Sequence, residues 1–323
     1  MRHRPDRRIV LRRIAQASLV LGGSGLAAGL GLLSPGRWGS RPEAAVIPDR
    51  SVPADPRWPR AVIARGGQPS VLVRAAVQRV GGMARFVRPG ETVLVKPNMA
   101  WDRTPEQGAN THPDVVAEVV RLCREAGAGR IVVADVPVHD PDRVAVHSGI
   151  ERAARQAGAQ VVLPPGAGFS VAALGGSVLE RWEVFAPALS ADRLINVPVV
   201  KDHGLSRLTC GLKNLYGVLG GNRGRLHQRI HETITDVASA FRPTLTVVDA
   251  TRVMLRGGPQ GGRLEDIVPV GAVAAGIDLV ALDAWGASLL GVDPAEIGHI
   301  VLAQGRGLGT FGQGPIEEIH VGG

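Results

Sequence analysis

Thr92-Val-Leu-Val95, then Pro113-Asp-Val-Val-Ala-Glu-Val-Val-Arg-Leu-Cys-Arg-Glu-Ala126, then Ile131-Val-Val-Ala134 decide the fold. The first and last runs are short, apolar and rich in β-branched residues, as strands buried on both faces are. Between them apolar residues recur at helical spacing, Thr111 and Pro113 open the helix, and Gly127 closes it. A strand, a helix and a second strand in this order form a βαβ unit, whose two strands lie parallel. The same alternation runs outward from it. Residues 61–64 read as a strand and 70–86 as a helix; 150–157 are helical, stopped by Gly158, and 160–163 strand-like. Residues 193–197 form a strand leading into Pro198-Val-Val-Lys201, and 230–241 a helix before the strand 245–249. Helices over 277–290 and 295–304 complete the pattern. The expected class is α/β, a mainly parallel sheet with helices on both faces. The Gly/Pro-dense stretch 164–176 reads as a seam between two subdomains or a long loop within one domain.

The N-terminus carries Arg7-Arg8-Ile-Val-Leu-Arg12-Arg13, an uncharged run over residues 14–33, and Ser34-Pro35-Gly36. Paired arginines before a mildly hydrophobic segment predict a signal peptide for twin-arginine export. The competing reading is a membrane span, since twenty uncleaved residues reach across a bilayer. Glu43-Ala44-Ala45 is the favoured cleavage site over Ala27-Ala28. The expected organisation is thus a signal over 1–45, a Pro-rich, extended and mobile linker over 46–59, and the α/β domain over 60–323. It implies a periplasmic or otherwise extracytoplasmic protein, the twin-arginine machinery as a partner, and no stable membrane span after cleavage. The formal net charge of +8 resides mostly in the leader, so the body is near neutral and nucleic acid is not an expected partner. Two cysteines, Cys123 and Cys210, leave one disulfide open and exclude a four-cysteine iron–sulfur cluster held by one chain.

Lysine is scarce. The chain has three, Lys96, Lys201 and Lys213, among 37 basic residues. An ammonium is a compact charge that sheds its proton when buried, which a guanidinium does not do, so these positions are chemical candidates. Each lies in a distinctive stretch: Val-Lys96-Pro-Asn98; Lys201-Asp-His203-Gly; and Gly-Leu-Lys213-Asn214-Leu-Tyr216-Gly217, with the only tyrosine. Ligands of open parallel sheets bind beyond the carboxyl ends of strands, where Lys96, Asp135, Lys201 and Asp249 are expected. Lys201, His203 and Lys213 are therefore the catalytic candidates. Lys96, Asn98, His112, Asn214 and Gly217 are the candidates for holding a cofactor or substrate. His112 opens a helix, where it caps free amides or meets an anion.

His227 and His231 stand four apart, one face of a helix and a spacing suited to a divalent metal, with His203, Asp236 or Asp249 as the third ligand. Gln228 replaces the glutamate that a zinc-protease helix needs. Arg256-Gly-Gly-Pro-Gln-Gly-Gly262 lacks P-loop spacing, no Gly-x-Gly-x-x-Gly follows a strand, and no serine-hydrolase elbow occurs.

Val-Leu-Val-Lys96-Pro-Asn98, Thr111-His112-Pro113, Lys201-Asp-His203, Thr209, Lys213-Asn214-Leu-Tyr-Gly217, His227 and Ile277-Asp278-Leu-Val-Ala-Leu-Asp283 together resemble the family known as domain of unknown function 362. The resemblance covers nearly the whole body. Many relatives look redox-associated and carry ferredoxin-type cysteines, which this chain lacks. The expected function is an exported enzyme that uses a metal ion or an anionic cofactor in a Lys/His/Asn-lined cleft. A binding protein for a small acidic or phosphorylated ligand is the alternative.

Overall fold

Residues 92–97 form the third strand of a computed structural model that describes residues 43–312 and 316–322. In chain order the elements are β1 (Ala45–Val46), β2 (Ala61–Arg65), α1 (Pro69–Arg79), β3 (Thr92–Pro97), α2 (Pro113–Glu125), β4 (Arg130–Ala134), α3 (Pro141–His147), α4 (Ile150–Ala157) and β5 (Gln160–Val162). There follow β6 (Phe169–Ala173), β7 (Arg181–Phe185), α5 (Ala186–Ser190), β8 (Arg193–Val197), β9 (Val199–His203), β10 (Arg207–Thr209) and α6 (Gly211–Asn214). The chain ends with α7 (Ile230–Phe241), β11 (Leu245–Met254), β12 (Ile267–Val268), β13 (Ala272–Gly276), α8 (Leu279–Leu289), α9 (Gly298–Gly305) and β14 (Glu317–His320).

The large sheet runs β14-β2-β13-β11-β8-β3-β4-β5, with β9 and β12 attached beside β11 and β10 paired to β9. Its centre is parallel: β11, β8, β3, β4 and β5 pair in one direction, and β13 alone among the strands of this order runs against its neighbours β2 and β11. Side chains alternate across it. Val93 and Val95 join Leu72, Val116 and Ala154 in one core layer under α1, α2 and α4. Leu94 joins Ile234, Leu282 and Ile300 in the other, under α7, α8 and α9. The sheet is thus covered on both faces, as continuous apolar strands require.

Several boundaries differ from the sequence reading, each for a local reason. The helix expected over 70–86 stops at Arg79, because Gly81 and Gly82 take φ of 113° and 76°, and a 3-10 turn, Met83–Arg85, follows. Asp278 starts α8 at Leu279 by accepting the Ala281 amide. The stretch 164–176 is not a seam. It supplies β6 to a three-stranded sheet, β1-β6-β7, whose Ala172 and Val184 join the core layer that contains Leu94. Residues from Ala44 onward form one compact unit.

The export signal expected over 1–45 lies, up to residue 42, outside the described residues. The segment 46–59, read as an extended and mobile linker, is docked, and it contains a turn in which the Trp58 amide donates to the Asp55 carbonyl. Val46 pairs with Ala173, and Arg50, 2% exposed, donates to the carbonyls of Ala188, Leu189 and Ala191 at 2.9–3.3 Å. Charge-assisted bonds to three backbone acceptors offset the ordering cost that Pro-rich composition alone would leave unmatched. Among the described residues no helix is long and apolar enough to cross a membrane.

Candidate functional site

Strands β3, β4 and β8 end side by side, and beyond their carboxyl ends opens a cavity of about 390 Å³. All three lysines line it, with Asn98, Trp101, Asp135, His203, Thr209, Asn214, Arg223 and His227. Each lysine is held differently. Lys96, at the end of β3 and 1% exposed, pairs with Asp135 at 2.8 Å and donates to the Pro97 carbonyl at 2.6 Å and to Asn214 Oδ1 at 3.2 Å. Lys201, inside β9 and equally buried, donates to the Ala109 carbonyl at 2.5 Å and to Asn98 Oδ1 at 3.2 Å, with the Trp101 ring 5.8 Å away. Lys213, on α6 and half-buried, sets its Nζ 4.4 Å from the centre of the Tyr216 ring.

Asn214 is the hub of this arrangement. Its Oδ1 accepts from Lys96 and from Asn98 Nδ2, while its Nδ2 donates to the Lys96 carbonyl and to Asn196 Oδ1. Asn214 thus has its whole side-chain capacity engaged inside the protein and positions the ammonium of Lys96, while Asn98, which accepts from Lys201 and donates to Asn214, keeps one amide hydrogen and one acceptor site at the cavity wall. Gly217 has a steric task. A Cβ there would lie 1.9 Å from Asp135 Oδ1 and 2.5 Å from Lys96 Nζ, so only glycine admits the ion pair. Asp283, fully buried below α6, accepts the Leu212 amide and fixes the turn that presents Lys213.

The electrostatics are lopsided. Lys96, Lys201, Lys213 and Arg223 share the cavity wall with one acid, Asp135. Arg223 is anchored by the carbonyls of Val136 and Pro137, both at 2.9 Å. Burial lowers the pKa of every one of these cations; repulsion from neighbouring cations adds to it at the three lysines, while Asp135 opposes it at Lys96, Lys201 and Arg223. Lys201 falls well below its ordinary value through burial, then through Lys213 and Lys96. Lys213 falls to about 7, through burial, Arg223 and Lys96. His203 drops to about 3 through burial and the lysines, so its ring is neutral. Its Nδ1 accepts the amides of Leu205 and Ser206, each at 3.2 Å, which leaves the proton on Nε2. Thr209 Oγ1, on a residue 3% exposed, has no hydrogen-bond partner among the described residues.

The structure does not assemble the expected metal set. His227 lies in the 3-10 turn Arg223–Arg229 and His231 in the first turn of α7; Arg229 between them leaves helical geometry at φ −131° and ψ 56°. The two rings therefore part. His227 stacks on His203, centroids 6.5 Å apart, while His231 stacks on the buried His299 at 5.4 Å. Asp249 is elsewhere, accepting the His112 amide, both donors of Thr251, and Arg252 at 2.9 Å. Asp236, the other acid considered, is held by the amides of Ser177, Val178 and Leu179 and by Arg306. Among the described residues no group of three or more His, Cys, Asp or Glu is gathered to hold a metal. His112 is likewise absent from the cavity wall: its Nδ1 accepts from Asp114 and caps α2. Both cysteines are free and buried. Sequence reasoning passed over Arg223, hidden among abundant arginines, and gave no separate role to Thr209.

The chain is similar over 245 residues to a thylakoid-associated protein of Synechocystis sp., at 31% identity, covering 73% of this chain and 74% of the relative. Among solved structures it shares 11% identity and a TM-score of 0.40 with the lactate racemase apoprotein of Thermoanaerobacterium thermosaccharolyticum, covering 76% of this chain and 62% of that one. A protein of Thermotoga maritima matches at 11% identity and a TM-score of 0.38, over 69% of this chain and 58% of its own. The family model for the domain of unknown function DUF362 matches residues 93–288, and this chain belongs to that family.

Proposed function

We propose that the chain is an exported enzyme that binds a small carboxylate or phosphate compound, as substrate or cofactor, in the lysine cavity. The observation that carries this reading is the charge imbalance: four cationic side chains face one acid in about 390 Å³. Bringing like charges together in a low-dielectric space is unfavourable until an anion joins them. The unpartnered Thr209 hydroxyl and the Nε2 proton of His203 are available to such a ligand. With a pKa near 7, Lys213 exchanges a proton at neutral pH, as a general acid or base must. The absence of a gathered metal set among the described residues favours an anionic partner over a metal ion.

Export by the twin-arginine route to an extracytoplasmic compartment belongs to the same proposal, supported by Arg7-Arg8 and Arg12-Arg13 before the uncharged run.

The test is calorimetry of the full chain with inorganic phosphate, pyrophosphate, lactate and citrate. At least one anion is expected to bind, and Lys201→Met and Lys213→Met are each expected to weaken it at least about tenfold, the loss of one charged contact. Binding unchanged in both variants, or absent for the whole series, refutes the reading. Affinity without turnover of any bound compound leaves a non-catalytic binder of the same ligand class.

A further inference from the structure

The three cavity lysines differ in what their nitrogen atoms are free to do. Lys96 is committed to Asp135, and Lys201 to two carbonyl oxygens. Lys213 has neither commitment. Among the described residues its amine meets the face of Tyr216, and it stands at the cavity wall half-buried, within reach of an entering molecule. We propose that Lys213 is a site of reversible covalent attachment, condensing with the carbonyl group of a small aldehyde or ketone that also bears a carboxylate or phosphate.

This rests on the anion-binding reading of the same cavity and names the ligand class within it. The acidic group of the ligand meets the charges of Lys201 and Arg223, and its carbonyl carbon is presented to Nζ of Lys213. The amine lone pair forms the new N–C bond while the carbonyl π pair moves to oxygen. A proton passes from nitrogen to that oxygen, giving a carbinolamine. The hydroxyl then takes a second proton and leaves as water while the nitrogen lone pair completes the C=N bond, and the resulting iminium gives up its N–H proton, returning the one that was borrowed. Amine and carbonyl thus give imine and water, with nothing oxidised or reduced. Such a step needs an unprotonated amine, and the crowding of Lys213 by Arg223 and Lys96 within a buried wall supplies it near neutral pH. His203, with its proton on Nε2, is the neutral donor beside the forming alcohol.

The chain suits a direct test, because its three lysines are its whole stock of side-chain amines. The protein is incubated with pyruvate, glyoxylate or pyridoxal phosphate and reduced with cyanoborohydride, and the adduct is located by intact mass and peptide mapping. One reduced adduct per chain on Lys213 is expected, lost in Lys213→Arg. Acetone, which lacks the anion, is expected to react at least tenfold less. No adduct from any of the three anionic probes, or an adduct confined to Lys96, Lys201 or the terminal amine, overturns the proposal. Because mapping is done on the unaltered chain, misfolding of the variant does not decide the outcome. If phosphate still binds while no adduct forms, the anion reading survives and the covalent one fails. Equal trapping of acetone and pyruvate refutes the anion requirement, and with it the ligand class proposed here.

Discussion

Gly217 shows how little space separates a working charge pair from a clash. Replacing it with alanine puts a methyl group where Asp135 and Lys96 meet. Gly217→Ala is therefore expected to break a buried ion pair, at a cost of about 3–5 kcal/mol, and to abolish anion binding. Urea unfolding and calorimetry measure the two effects; a variant with unchanged stability would show that the pair is dispensable. The sequence made the three lysines legible because ammonium groups are rare here and glycine and asparagine surround them. It did not reveal their different duties, since those depend on partners distant in the chain: Asp135 for Lys96, and Asn98 and Ala109 for Lys201. Arg223 was invisible for the opposite reason, one guanidinium being indistinguishable by type from dozens of others. The His227 and His231 spacing misled because spacing fixes a shared face only where the helix is continuous, and Arg229 interrupts it.

The short helix α6 depends on α8 beneath it. Asp283 of α8 accepts the Leu212 amide, and burial pushes its carboxyl up to about 7 even though that hydrogen bond and Cys210 pull it down. The sign of the linkage follows. Between about pH 4 and 7 the folded chain holds a proton on Asp283 that the unfolded chain has released, so stability falls as pH rises through this window. Asp283→Asn removes the titration and is expected to reduce the difference in unfolding free energy between pH 5 and pH 7.5 by about 2–4 kcal/mol. Urea titrations at both values check it; an unaltered difference means that Asp283 titrates at an ordinary value. At this level the sequence was most informative: the extents of β8, α4 and α7 are those expected, because apolar periodicity is a local signal, as is the Gly158 that closes α4. Short elements were missed. The α6 turn and the β9–β10 hairpin carry two of the lysines, yet each is too brief to build a periodic pattern.

For the molecule entire, the sheet with two covered faces was readable from strand–helix alternation, whereas the docking of residues 46–59 was not, because proline-rich composition speaks for extension and is silent on attachment. Arg50 supplies that attachment, and burial lowers its pKa to about 10, away from the cavity. Arg50→Ala is expected to lower the unfolding free energy by about 2–4 kcal/mol while leaving anion affinity within twofold. Thermal unfolding beside calorimetry tests this, and equal loss of both would mean that the segment shapes the cavity.

The last strand, β14, lies outermost beside β2, and it is studded with charge: Glu317 is held by Arg79 and Glu318 by Arg65. At the opposite margin β5 spans three residues. An open sheet of this width would otherwise offer unpaired amides and carbonyls along two borders to any passing strand. Ion-paired side chains on one border and brevity on the other make both poor templates for strand-to-strand polymerisation.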